Sequence, residues 1–408
     1  MKKALAFIII AAIIISMVGC SLGGNDQSDS TSRFSYEVPD PMEYPDYTFD
    51  GTPDTAQLRT TAIQAMRDLL SIQWYVESDL RYQNAEGKKN YVYRKNKIYA
   101  GLLYTKASTG LFHFLEYYNK ENGCFEYNGT ADELKLELGT ACADSILWSM
   151  TTVCNSITGG YYPIMMVPAN GFIPVGDYTF NQDIKTYHEM PTYAILEKNE
   201  TEVIWESYAK TQPADLLVAA PESDHAMMVI EKPTVVYYEN GKINPKSSYV
   251  IIQDQWSSGE TVVVDGEVIK YTGRLNKKFT FSELYKSTYI PLTVAEFIGT
   301  KAYDKASVSV NNPNCNSLRE LPKLSVESNY PLAVINIISV DSKGNQTVLA
   351  RKMFNGGDMQ GVPRKFNLSE MDITKLSPKF GSTVKLEVVV STGERFYPVE
   401  FKTYNLSF

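Results

Sequence analysis

Histidine is scarce in this 408-residue chain, which holds only His113, His188 and His225. No His-Glu-x-x-His or comparable ligand spacing occurs, which argues against a metallohydrolase and against any metal site. The five cysteines follow no regular spacing, so neither a metal knuckle nor a disulfide scaffold is indicated. A bridge between Cys124 and Cys154 stays open for an exported protein. Positive charge is in deficit: 39 Lys and Arg face 47 Asp and Glu, for a net charge of -8. That balance argues against a nucleic-acid partner and against wide adhesion to anionic lipid. No motif calls for a cofactor. Tryptophan is rare at 4 against 28 Tyr, and a tyrosine-rich surface suits wet, polar polymers such as sugars and peptides. At 44% hydrophobic content the chain can bury two or three cores.

Met1-Lys-Lys3 is followed by the apolar run Ala4–Val18, too short and one-sided for an ordinary membrane span. It reads as an export signal. Its end, Ser16-Met-Val-Gly-Cys20, resembles the lipobox of bacterial lipoproteins, with Met17 where that family favours Leu. The resemblance implies that Cys20 carries a lipid and begins the mature protein, on the extracytoplasmic face of a bacterial cell membrane. The other readings are a secretory signal cut nearby or a retained anchor. Residues 21–52, rich in Ser, Asp, Gly and Pro, are expected to be a disordered tether.

The chain turns on Gly139-Thr-Ala-Cys-Ala-Asp-Ser-Ile-Leu-Trp-Ser-Met150. Thr140 has the chemistry of an N-cap, Asp144 puts a carboxylate in the first turn, and Ile146, Leu147 and Met150 keep helical spacing. Cys142 then sits at a helix N-terminus, where free N–H groups and the macrodipole stabilise a thiolate. The competing reading is a small buried thiol. Upstream, Ala56–Leu80 has the spacing of an amphipathic helix. Downstream, Tyr161–Tyr178 is an irregular Pro-, Gly- and Met-rich loop that either lines a site or fills core. Strands are expected at Asp215–Ala220, His225–Glu231, Thr234–Tyr238 and Tyr249–Trp256, followed by a hairpin across Thr261–Tyr271. Beyond about residue 304 the pattern is all β, with strand spacing of an immunoglobulin-like sandwich.

A thiol nucleophile needs a base, and the base needs an orienting partner. His113, in Leu-Phe-His-Phe-Leu, reads as a core residue and His188, in Thr-Tyr-His-Glu-Met, as a surface one. His225 opens an apolar strand and is the candidate base. The third member comes from the neighbouring strand, where side chains alternate. There Gln253 and Gln255 share one face and Asp254 takes the other, so Asp254 is favoured and Gln253 is the alternative.

This order of elements resembles the NlpC-type papain-like cell-wall peptidases and their CHAP amidase relatives. Gly101-Leu-Leu-Tyr104 is similar to the family's Gly-x-Pro-Tyr, Gln212-Pro-Ala-Asp-Leu-Leu to its Pro-Gly-Asp-Leu, and Ser223-Asp-His225-Ala-Met-Met-Val to its Gly-His-Val-Gly-Ile-Val. Asp254-Gln-Trp256 resembles the CHAP Glu-Gln-Asn. The chain departs from the family at Ala141-Cys-Ala-Asp144, at Asp224 before the histidine and at Leu103 before the tyrosine. The resemblance, which covers about Ala56–Tyr289, implies a papain-like helix-plus-antiparallel-sheet domain over 53–303; with the small β-sandwich that strand spacing suggests over 304–408, the fold class is α+β. The resemblance also implies acyl transfer by Cys142 and His225, with Tyr104 and the Cys142 N–H as oxyanion donors. The implied substrate is a peptide or amide bond in peptidoglycan. A second class stays open, a catalytically inactive surface lipoprotein serving as a wall- or protein-binding module.

Overall fold

The computed structural model describes residues 55–83, 90–264, 266–304, 306–311, 317–354, 362–373, 376, 378, 382–390 and 399–406. The export signal, Cys20, the tether over 21–52 and Cys315 lie outside these residues. Strands β1 to β10 are Gln73–Trp74, Leu80–Gln83, Asn90–Tyr93, Ile98–Ala100, Phe172–Pro174, Leu216–Ala219, His225–Val229, Tyr249–Val264, Glu267–Thr280 and Ile290–Val294. Eight of them form one sheet in the order β1-β4-β9-β8-β7-β6-β10-β5, antiparallel throughout except for the β4–β9 pair. β2 and β3 pair separately as a hairpin.

Every residue of β6 and β7 is buried, which requires cover on both sheet faces. The Cys142–Met150 helix lies against β7 and β8, and the helix Thr55–Ser71, with Leu58, Ala62, Met66, Leu69 and Leu70 buried, packs on that helix and on β8 and β9. Spacing had extended this first helix to Leu80, but it stops at Ser71. Trp74 enters a strand instead, paired with Tyr99, with its indole N–H donating to the Gly101 carbonyl at 2.8 Å. Its ring packs among Tyr93, Tyr99, Phe114 and Phe125. Burying that aromatic cluster outweighs continuation of the helical pattern.

The strands expected at 215–220, 225–231 and 249–256 and the hairpin across 261–271 are all present. Thr234–Tyr238 forms no strand. It makes only isolated bridges, Thr234 with Tyr249 and Tyr237 with Ile243, because Val236, Tyr237 and Tyr238 are exposed and have no buried face. Residues 161–178 hold two 3-10 turns, at Pro163–Met165 and Pro168–Asn170, before β5. Met166 and Val167 are fully buried there, so much of this loop is core.

The remaining strands, β11 to β17, are Val308–Val310, Ser325–Ser328, Leu332–Val340, Gln346–Met353, Lys365–Asn367, Thr383–Val390 and Val399–Leu406. They make two antiparallel sheets, β11-β12-β15 and β14-β13-β16-β17. The chain is therefore α+β, a mixed helix-and-sheet part followed by an all-β part. One hydrophobic cluster joins the two, from Val153 and Ile157 to Tyr330 and Leu332. Across the joint the Arg364 guanidinium donates to the carbonyls of Ile157 at 2.6 Å and Asn329 at 2.7 Å.

Candidate active site

The Cys142–Met150 helix begins one residue later than a Thr140 cap would set it. Ala141 is the N-cap, with extended backbone, and the Asp144 carboxylate accepts the Ala141 N–H at 3.1 Å. Thr140 is occupied elsewhere. Its N–H donates to the Leu103 carbonyl at 2.9 Å and its own carbonyl accepts from Thr105 at 3.1 Å, so it pairs with the chain around Tyr104. Gly139 makes this approach possible at φ +107°, where a Cβ would lie 2.4 Å from the Leu103 oxygen. The consequence is functional, because Tyr104 and Cys142 are brought side by side. As the first helical residue, Cys142 has an N–H without an intrahelical acceptor.

Cys142 is 3% exposed, and its Sγ lies 3.8 Å from the Asp224 carbonyl, toward which the thiol points. The other neighbour is His225, whose imidazole is close enough to Cys142 for the two side chains to interact electrostatically. Asp224, at φ +41°, turns the chain into β7 immediately before the histidine.

Sheet register selects the third member. Met228 faces Gln253 across the β7–β8 pair, so Asp254 stands beside Met227 on the face that His225 shares. His225 Nε2 and Asp254 Oδ2 are 2.6 Å apart, both side chains almost wholly buried. With Nε2 engaged by Asp254, Nδ1 is the ring nitrogen left for the thiol. Gln253 and Gln255 take the opposite face and donate to the carbonyls of Ile63 and Leu102, each at 2.9 Å. Of the two candidates for the orienting residue, only Asp254 touches His225.

Two further residues complete the cluster, and no local sequence pattern marks a role for either. Arg274, opposite Asp254 on β9, donates through Nε to Asp254 Oδ1 at 2.9 Å and through Nη2 to Oδ2. Trp256 packs its ring 4.8 Å from the His225 ring and lies 4.4 Å beneath the Arg274 guanidinium carbon. Burial alone would lower the His225 pKa. The negative charge of Cys142 when ionised and the bond to Asp254 outweigh it and push it up to about 9. Asp254 is held below its ordinary value because the bonds from Arg274 and His225 overcome its burial.

Tyr104 is mostly buried, and its phenol is pushed up by that burial and by the neighbouring Cys142. Its ring stacks on Tyr91 at 5.9 Å. Tyr104 and Trp256 also line a cleft of about 260 Å³ bounded by Tyr91, Tyr271, Ser257 and Lys270. The cleft lies where the β8–β9 register slips between Gln255 and Glu260. The slip turns at Gly259, φ +58°, where a Cβ would collide with the Tyr271 carbonyl.

Asp144 is a buried carboxyl in the first turn of the same helix, and burial raises it from 3.8 to about 7. The unfolded chain releases this proton near pH 4 and the folded one near pH 7, so the wild type loses stability as pH rises through that window. Asp144→Asn keeps an oxygen for the Ala141 N–H and removes the titration. Its melting temperature, followed by calorimetry, is expected to match wild type near pH 4 and to exceed it increasingly toward pH 8. A difference independent of pH would contradict this.

His113 is buried, with Nδ1 accepting the Gly110 N–H at 3.2 Å, and burial lowers it to about 4. It belongs to the core, whereas His188 is exposed. Cys124 and Cys154 are both buried free thiols, so no bridge joins them. Among the described residues no group of three or more His, Cys, Asp or Glu is placed to hold a metal ion. No family model, curated protein or solved structure matches this chain.

Proposed function

We propose that the protein is an exported thiol hydrolase, tethered to the membrane through lipid on Cys20, that cleaves peptide or amide bonds in peptidoglycan. In this reading the first part is a papain-like domain of NlpC or CHAP type. The second is an immunoglobulin-like sandwich acting as a spacer or binding module. The observation that carries the proposal is the hydrogen-bonded chain His225–Asp254–Arg274 with Cys142 as the electrostatic neighbour of His225.

The chemistry is acyl transfer. His225 Nδ1 takes the thiol proton and the sulfur attacks the amide carbonyl carbon, forming a C–S bond. The Cys142 N–H and Tyr104 hold the resulting oxyanion. Collapse breaks the C–N bond, and the amine leaves with the proton from the imidazolium. The neutral His225 then deprotonates water, which cleaves the thioester and restores the thiol. The cleft beside Tyr104 and Trp256 is the approach for substrate.

Iodoacetamide labelling of the folded protein at neutral pH, with peptide mapping, tests this reading. Cys142, at a helix N-terminus beside His225, is expected to react far faster than Cys124 and Cys154, whose thiols burial pushes up, and His225→Ala to slow it by about 100-fold. If Cys142 is as inert as those two thiols, the protein is a binding module instead.

A further inference from the structure

We infer that Arg274 is the standing counter-ion of Asp254, a positioning residue that leaves His225 free to release its proton. The functional consequence rests on the hydrolase reading, whereas the charge relation rests on geometry alone.

The Asp254 side chain is wholly buried, and a buried carboxylate needs a cation. Two face it. His225 Nε2 approaches Oδ2 at 2.6 Å, and the Arg274 fork takes both oxygens. No other Lys or Arg among the described residues bonds to Asp254. The guanidinium itself is fixed between the rings of Trp256 at 4.4 Å and Phe279 at 5.3 Å, and it cannot be deprotonated.

Without Arg274 the imidazolium would be the sole cation for Asp254. Its proton loss would strand a buried anion, so His225 would be locked in the charged form. With Arg274 present, proton loss leaves a neutral Asp254–Arg274 pair. Arg274 Nη2 also lies 3.4 Å from His225 Nε2, and its charge further favours the neutral ring. Among the described residues, the groups around His225 also include Cys142, Trp256 and the Tyr289 ring at 6.4 Å, with Asp224 preceding it in sequence. The Tyr289 phenol is pushed up by burial and stays neutral across the working range. A histidine that must donate a proton to a leaving amine and then accept one from water needs both states within reach.

With three histidines in the chain, ring NMR titration resolves His225 directly. Arg274→Gln is expected to raise its midpoint by about one pH unit or more, a tenfold change in proton affinity. Arg274→Lys, which keeps the charge, is expected to hold the midpoint within about half a unit of wild type. An unchanged or lowered midpoint in folded Arg274→Gln overturns the inference. So does a rise of a full unit in Arg274→Lys, which decides the matter if the glutamine variant does not fold. The hydrolase reading fails separately, if wild-type Cys142 resists iodoacetamide while the Arg274 shift appears as expected.

Discussion

Replacing Cys142 with alanine is expected to abolish release of fragments from purified peptidoglycan, a fall of about 10⁴-fold or more in kcat. Among the described residues the other cysteines, Cys124 and Cys154, are buried free thiols. Asp254→Asn is expected to cost roughly 10²–10⁴-fold, because it removes the negative charge that stabilises the imidazolium and leaves the Arg274 guanidinium unpaired. Fragments measured by chromatography, with a thermal melt to establish folding, check both. Equal release by wild type and Cys142→Ala would sink the hydrolase reading. The alanine variant carries a second readout: His225 is raised in part by the Cys142 thiol, so its titration should move down from about 9.

Arg59→Met is expected to destabilise the protein by about 3–5 kcal/mol without touching the thiol. Arg59 stands on the first helix and reaches into the sheet, where Nη1 donates to Asp215 Oδ1 at 2.7 Å and to the Pro213 carbonyl at 2.6 Å. Nε reaches the Phe297 carbonyl at 3.3 Å, and the guanidinium lies 4.9 Å over the Phe297 ring. The two side chains are 10% and 2% exposed, so the carboxylate left behind would be buried without its cation. Urea unfolding measures the loss. A double variant, Arg59→Met with Asp215→Leu, should recover much of it because neither charge remains. A loss below about 1 kcal/mol would mean that water reaches Asp215 when the guanidinium is gone.

Much of the candidate site is legible in residue order. A cysteine beginning an apolar helix, a histidine beginning an apolar strand and a polar residue one strand later are local patterns. Period-two alternation already separated Asp254 from Gln253 and Gln255. It did not say which parity faced His225, because that depends on how β7 and β8 slide past one another. The cap illustrates the same limit. Thr140 has the right side chain, yet its backbone is drawn into pairing with Leu103 and Thr105, and the helix starts after Ala141.

Local pattern by itself determined the helix-first, sheet-second order, the all-β ending and the places where Cys142 and His225 enter their elements, since each follows from periodicity and turn chemistry. Tertiary structure alone decided Arg274. Extending the outer pairing of the hairpin, Thr261 with Lys270, would set Lys277 opposite Asp254. The slip between Gln255 and Glu260 moves Arg274 into that place, and the cleft beside Trp256 lies at the same slip. A register shift leaves no periodic trace, because it arises from the fit of Gly259 against the facing strand and not from the alternation of side chains along either one.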